Sequence, residues 1–214
     1  MPPGNHESLR SKIPKRKKAR SNTPLSCKTK YYIKSNSAYF SSRSAFCRAA
    51  VLVALRAPEQ AFREIELAMS LDHALPFIHM SAGWIKIFLG SAEETEVHLS
   101  NAMRLSPRGP LLGSWYTVLG SAALHLGRLD NAVDLLRRAI EIAPSHEISY
   151  FYLAAALALH GHGSEAAQAC KIGRRLAPIF RIGKCRAEVQ SDNPVFLQQR
   201  ERIYEGLEKA GLPE

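Results

Sequence analysis

Apolar positions in the middle of the chain recur at three- and four-residue steps, the period of one helix face. In Trp115–Leu126 the marks are Tyr116, Leu119, Ala123 and Leu126, and in the segment after it they are Val133, Leu136 and Ile140. Between the two stands Gly127, able to take the left-handed conformation that ends a helix. Asp130 follows as a suitable N-cap for the second helix. Pro144 closes the pair, because its ring cannot continue a helix. The pattern predicts two antiparallel helices joined by a tight turn.

That plan returns along the chain. Ala61, Thr95, Ala132 and Ala166 are separated by 34, 37 and 34 residues, and His73, Pro107, Pro144 and Pro178 repeat the series. So do Ala68, Ala102, Ala139 and Gly173, while Gly83, Gly120 and Ala154 share the last two separations, as do Gly90, Gly127 and Gly161. Small residues fall where two helices must approach closely. Three extra residues account for the longer step, and Gly109-Pro110 within 108–113 is the loop signal that accommodates them. The first unit is worn, with Arg56 in the turn-glycine column and His73 in the proline column. Its helices are expected at about Arg43–Leu55 and Glu59–Leu71.

Columns repeating together at this period mark stacked helical hairpins. The expected fold class is all-α, a right-handed superhelix of three to four helix-turn-helix units with a C-terminal capping helix. After Pro178 the period stops. Asp192-Asn193-Pro194 is a helix start, and Phe196, Ile203, Leu207 and Ala210 mark one face of a helix ending at Gly211. This helix is expected to cap the stack by packing on the last unit. The domains expected are a basic, Ser/Lys-rich, disordered tail at 1–42, the array at 43–178, and a linker with the capping helix at 179–214.

Over residues 43–178 these columns resemble the tetratricopeptide repeat family. The strings Arg104-Leu105-Ser106-Pro107, Gly127-Arg128, Ala154-Ala155-Ala156-Leu157, Asn193-Pro194, Arg200-Glu201-Arg202-Ile203 and Gly206 to Glu214 are similar to the C-terminal repeat region of bacterial class III adenylate/guanylate cyclase or winged-helix proteins. The resemblance implies a protein-binding array detached from a signalling protein; the irregular cysteines, which fit a reducing compartment, add the expectation of a cytoplasmic location. A cyclase domain does not fit the roughly 45 residues ahead of the repeats, and the four Asp are scattered at 72, 130, 134 and 192. Cyclase activity is therefore not carried over.

Charge is unevenly placed. The net is +10, yet residues 1–48 hold 12 Lys and Arg against Glu7, leaving 17 basic and 18 acidic residues in the rest. Basicity belongs to the N-terminal segment, with Lys15, Arg16, Lys17, Lys18 and Arg20 at its centre. Such a tail is usually solvated. The second functional reading gives it a weak contact with nucleic acid or an anionic membrane. The near-neutral body provides no field for polyanions.

Catalytic and cofactor chemistry find little support. No phosphate-binding glycine motif follows a strand, and no G-x-S-x-G occurs. Cys27, Cys47, Cys170 and Cys185 are irregularly spaced, and Cys170 lies on an apolar helical face as a small core residue. His160-Gly161-His162 flanks a turn with no further ligand nearby, which argues against a metal. No enzyme activity, cofactor, metal or small-molecule substrate is expected.

The first helices of such units line a concave face. Counting from the small-residue column puts Phe77, Met80, Trp84, Ile87 and Phe88 there in one unit, and Ser114, Thr117, Ser121, Leu124 and His125 in the next. The third gives Ile148, Phe151, Ala155, Ala158 and Leu159. Lys, Arg and Asn, which would clamp a peptide carboxylate, are absent from these positions. The groove is expected to be apolar and to receive a hydrophobic peptide, another part of the same assembly, or nothing if the superhelix closes on itself. Trp84, Phe88 and Phe151 are the expected anchors for a protein or peptide partner.

Overall fold

The computed structural model describes residues 27–214, with side chains from Phe40 onward. The basic cluster Lys15, Arg16, Lys17, Lys18 and Arg20 lies outside the described residues. The helices are α1 (Cys27–Ala54), α2 (Pro58–Leu71), α3 (Pro76–Phe88), α4 (Thr95–Leu105), α5 (Leu112–His125), α6 (Leu129–Ile142), α7 (Glu147–Leu159), α8 (Gly163–Leu176), α9 (Ile182–Ala187) and α10 (Pro194–Lys209). They pair as hairpins α1–α2, α3–α4, α5–α6 and α7–α8, with a 3₁₀ turn at Ala92–Glu94 ahead of α4.

The repeated columns are the places where helices touch. Ala61, Thr95, Ala132, Ala166, Ala68, Ala102 and Ala139 are all completely buried. At Gly120 an added Cβ would lie 2.5 Å from Leu136 Cγ, so the two helices of that unit meet too closely for a side chain. Gly127 takes φ 72°, turning the chain so that the Arg128 N–H reaches Ala123 O at 2.9 Å. In the worn first unit Arg56 adopts the same left-handed turn, at φ 58°, where a side chain costs about 1 kcal/mol. Its Nη2 donates to Ala187 O at 2.7 Å, which ties that turn to the C-terminal segment.

Two expectations need correction. The chain is already helical at Cys27, although disorder was expected through residue 42. Once the end of α1 packs on α2, extending the helix backward costs propagation alone, and no Pro or Gly interrupts 27–54. Asp130 does not cap α6: that helix starts one residue earlier, with Arg128 at the cap position and no side-chain cap bond. Asp130 instead meets His160 Nε2 at 2.9 Å, binding the turns of neighbouring units.

The closing helix follows the expectation and extends it. Asn193 caps α10 as expected, its Oδ1 accepting from the Val195 and Phe196 N–H groups at 2.9 and 3.2 Å. The helix packs on the last unit as expected, through α7, and from there it reaches across the inner layer to α5 and the end of α3. Asn193 Nδ2 donates to Leu89 O at 3.0 Å at one end, and Gly206 packs against Ala155 at the other. The apolar face Phe196, Ile203 and Leu207 explains the placement. It buries completely, or nearly so, against an inner layer that is itself apolar.

Candidate functional site

The concave layer, α10 and the α9 segment together enclose a cavity of about 420 Å³. The helices α3, α5 and α7 each contribute to its wall. Met80, Trp84, Ile87 and Phe88 come from α3, and Ser114, Thr117, Ser121 and His125 from α5. From α7 the wall takes Ile148 and Tyr152.

Not every groove residue expected from the sequence reaches this cavity. Phe77 turns instead toward the first unit, its ring edge-on to Phe46 at 5.0 Å. Phe151 occupies the position equivalent to Met80 and Thr117 but is sealed. Phe180, from the chain that folds back after α8, stacks on it at 4.0 Å, and Gly173 leaves room for its ring from the other side. Ala155 and Leu159 are covered by Gly206 of α10, whose added Cβ would stand 2.7 Å from Ala155 O. Leu124 lies in the core, and Ala158 packs against it half-buried. Phe88 is 5% exposed, held edge-on to Phe196 at 5.6 Å. Of the three expected anchors, only Trp84 stays open, 42% exposed and edge-on to Phe88 at 5.0 Å.

Polar groups converge on the cavity from several elements. Thr117 Oγ1 and Ser149 Oγ are 2.7 Å apart, and His146 Nδ1 reaches the same Ser149 oxygen at 2.8 Å, linking α5 to α7. His125 is 1% exposed and stacks on Phe196 at 5.7 Å. Its Nδ1 lies 2.8 Å from Ser121 O, so that nitrogen carries the proton. Nε2 is then a bare acceptor, and it has no partner among the described residues. Burial, with Arg200 and Arg202 nearby, pushes this imidazole down to about 3. It is therefore neutral at any ordinary pH.

The residue that the sequence reading missed is Arg200. It projects from α10 into the cavity wall between two phenols, its Nη1 donating to Tyr152 Oη at 3.0 Å and its Nε to Tyr204 Oη at 3.2 Å. Its guanidinium carbon lies 5.6 Å from the Tyr152 ring centre and 5.2 Å from that of Tyr204, within cation–π range. Burial works against the charge, but the two phenolic oxygens outweigh it and hold the pKa above the ordinary arginine value. Cys185, Glu188 and Gln190 complete the wall from the α9 side. Burial raises the thiols of Cys185 and of the core residue Cys170, so neither is an activated nucleophile. His160 and His162 stack at 4.9 Å on the outer turns, away from this wall. No group of three His, Cys, Asp or Glu side chains placed to hold a metal occurs among the described residues.

No protein-family model matches the sequence, and no curated protein matches it either. Solved structures do. The chain is similar to YrrB, a TPR protein with an unusual peptide-binding site, at 21% identity and TM-score 0.51, covering 85% of this chain and 89% of that one. It is similar to PilW, a type IV pilus biogenesis factor, at 17% identity and TM-score 0.62, with 83% and 79% covered. MamA from Desulfovibrio magneticus RS-1 matches at 15% identity and TM-score 0.54, with 80% and 97% covered. These likenesses establish the fold: paired antiparallel helices in a tetratricopeptide-type array.

Proposed function

We propose that the chain is a non-catalytic scaffold that receives an apolar peptide segment of a protein partner at the α3 end of its concave face, with Trp84 as the anchor. One observation carries the reading. The same face already accommodates an amphipathic helix, α10, while Trp84 beside it remains 42% exposed. A large aromatic held by a neighbouring ring loses little conformational freedom on binding, and such residues supply much of the energy of peptide interfaces. The likeness to a peptide-binding TPR protein supports this reading, and the apolar character of the surrounding wall fits a hydrophobic rather than an acidic peptide. The resemblance of the C-terminal strings to bacterial signalling proteins supports a partner within a regulatory assembly.

Trp84→Ala tests the proposal. Peptides captured by the full chain from a displayed library are expected to be lost, while helicity and Tm stay close to those of the parent. A parallel collapse of Tm would make Trp84 structural instead. A second reading rests on the segregation of charge into residues 1–48, which favours a polyanion contact separate from the groove. Deleting residues 1–26 is expected to remove retention on a polyanion column and to leave peptide capture intact.

A further inference from the structure

The arginines of the C-terminal segment are partnered very differently. Arg186 on α9 faces Glu201, Glu208 and Glu214 within ion-pair distance. Arg56, Arg48 and Arg137 each meet a carboxylate as well. Arg200, the one that points into the cavity wall, meets none among the described residues, and its Nη2 has no hydrogen-bond partner there. Charges taken from water are ordinarily paired, because desolvation is costly without compensation. Two phenols satisfy part of the guanidinium and leave its outer edge directed at a cavity of about 420 Å³. That volume falls in the range of small-molecule sites.

His125 lines the same wall with its ring, while its Nε2 is buried beneath the cavity surface. The rest of the wall is largely apolar, with Met80, Ile148 and Phe180 prominent. Glu188 is the acid on this wall, and it lies 3.9 Å from Lys184 at the solvent side.

We infer that this cavity binds a small carboxylic acid with an apolar body, its carboxylate held by Arg200 and its body by the apolar wall. The repeat helices contribute no Lys or Arg to this wall, and the cation needed for a carboxylate comes from the helix laid across them. The site goes beyond the peptide surface proposed above, and its failure leaves capture at Trp84 to be judged separately by the library experiment.

Titration calorimetry of the full chain with indole-3-acetate and N-acetyl-phenylalanine tests it, with indole-3-acetamide and N-acetyl-phenylalaninamide as uncharged counterparts. The acids are expected to bind at least about tenfold more tightly than the amides, the usual worth of a charge-assisted hydrogen bond. Arg200→Gln is expected to erase that preference. Ser114→Phe, which fills the cavity from α5, is expected to abolish binding of both classes with Tm maintained. Equal binding of acids and amides, unchanged acid binding in either variant, or no binding of either acid at millimolar concentration would overturn the inference. Should Arg200→Gln fail to fold, the acid-to-amide ratio and Ser114→Phe decide it.

Discussion

The two ends of the concave face are built from equivalent helical positions and end up with opposite roles. At the α7 end Phe151, Ala155 and Leu159 are roofed by Phe180 and Gly206 of the C-terminal segment. At the α3 end Met80 and Trp84 line a cavity wall, and Trp84 keeps 42% of its surface exposed. A repeat therefore specifies which positions face inward, but not whether an inward position is core or contact surface. That is decided by the aperiodic segment that follows the repeats.

The contrast can be broken from either side, and the largest effect is expected at the roofed end. Phe151 is 1% exposed and in a tight stack, so Phe151→Ala is expected to cost about 3 to 5 kcal/mol in denaturant unfolding. Gly206→Val should act in the same direction, since its side chain would press on the Ala155 backbone rather than on a flexible neighbour. A cost below about 1 kcal/mol for both would mean that the roof is loosely held.

Between the two ends, His125 gives the face a dependence on pH. Its folded pKa is depressed to about 3 by burial, below that of the same ring in the unfolded chain, so the unfolded state binds the proton first. Stability from this residue is complete above about pH 6.5 and falls by about 1.4 kcal/mol per unit as pH drops toward the folded value. His125→Gln is expected to flatten that slope in a series of melts between pH 6.5 and 4, and an unchanged slope would place the acid sensitivity elsewhere.

Asn193 fastens α10 at the open end. Its side chain caps the helix and also donates to Leu89 O at 3.0 Å, so Asn193→Ala is expected to cost about 1 to 2 kcal/mol. Hydrogen exchange should locate the loss in the first turn of α10 and leave α4, α6 and α8 as protected as before. The smallest stability effect is expected at Trp84 itself, where Trp84→Ala should cost about 1 kcal/mol or less, mostly from its edge-on contact with Phe88.

Much of this was legible in the sequence, for a physical reason. The array rests on short-range rules: Gly127 for the left-handed turn, Ala132 and Ala139 for close helix approach, Asn193-Pro194 for a helix start. Periodicity exposes such rules because each unit meets them again. Phe151 misled because its lid, Phe180, comes from beyond the repeat, and no column can report a residue that occurs once. The path of α10 was hidden likewise, since Asn193 and Leu89 meet across a separation of 104 residues. Arg200 did leave a trace. It stands four residues after Phe196 and three before Ile203, in the middle of the apolar face of α10, where a cation has no place unless the wall it meets has a use for one.

The chain contains two tryptophans, Trp84 at the open end and Trp115 at 1% exposure in the core, which permits a direct reading of the central claim. In a Trp115→Phe chain the remaining indole reports on the α3 end alone. Titration with a captured apolar peptide should shift Trp84 emission to the blue and shield it from acrylamide. Binding of that peptide with Trp84 emission and quenching unchanged would contradict the assignment of the open end as the binding surface.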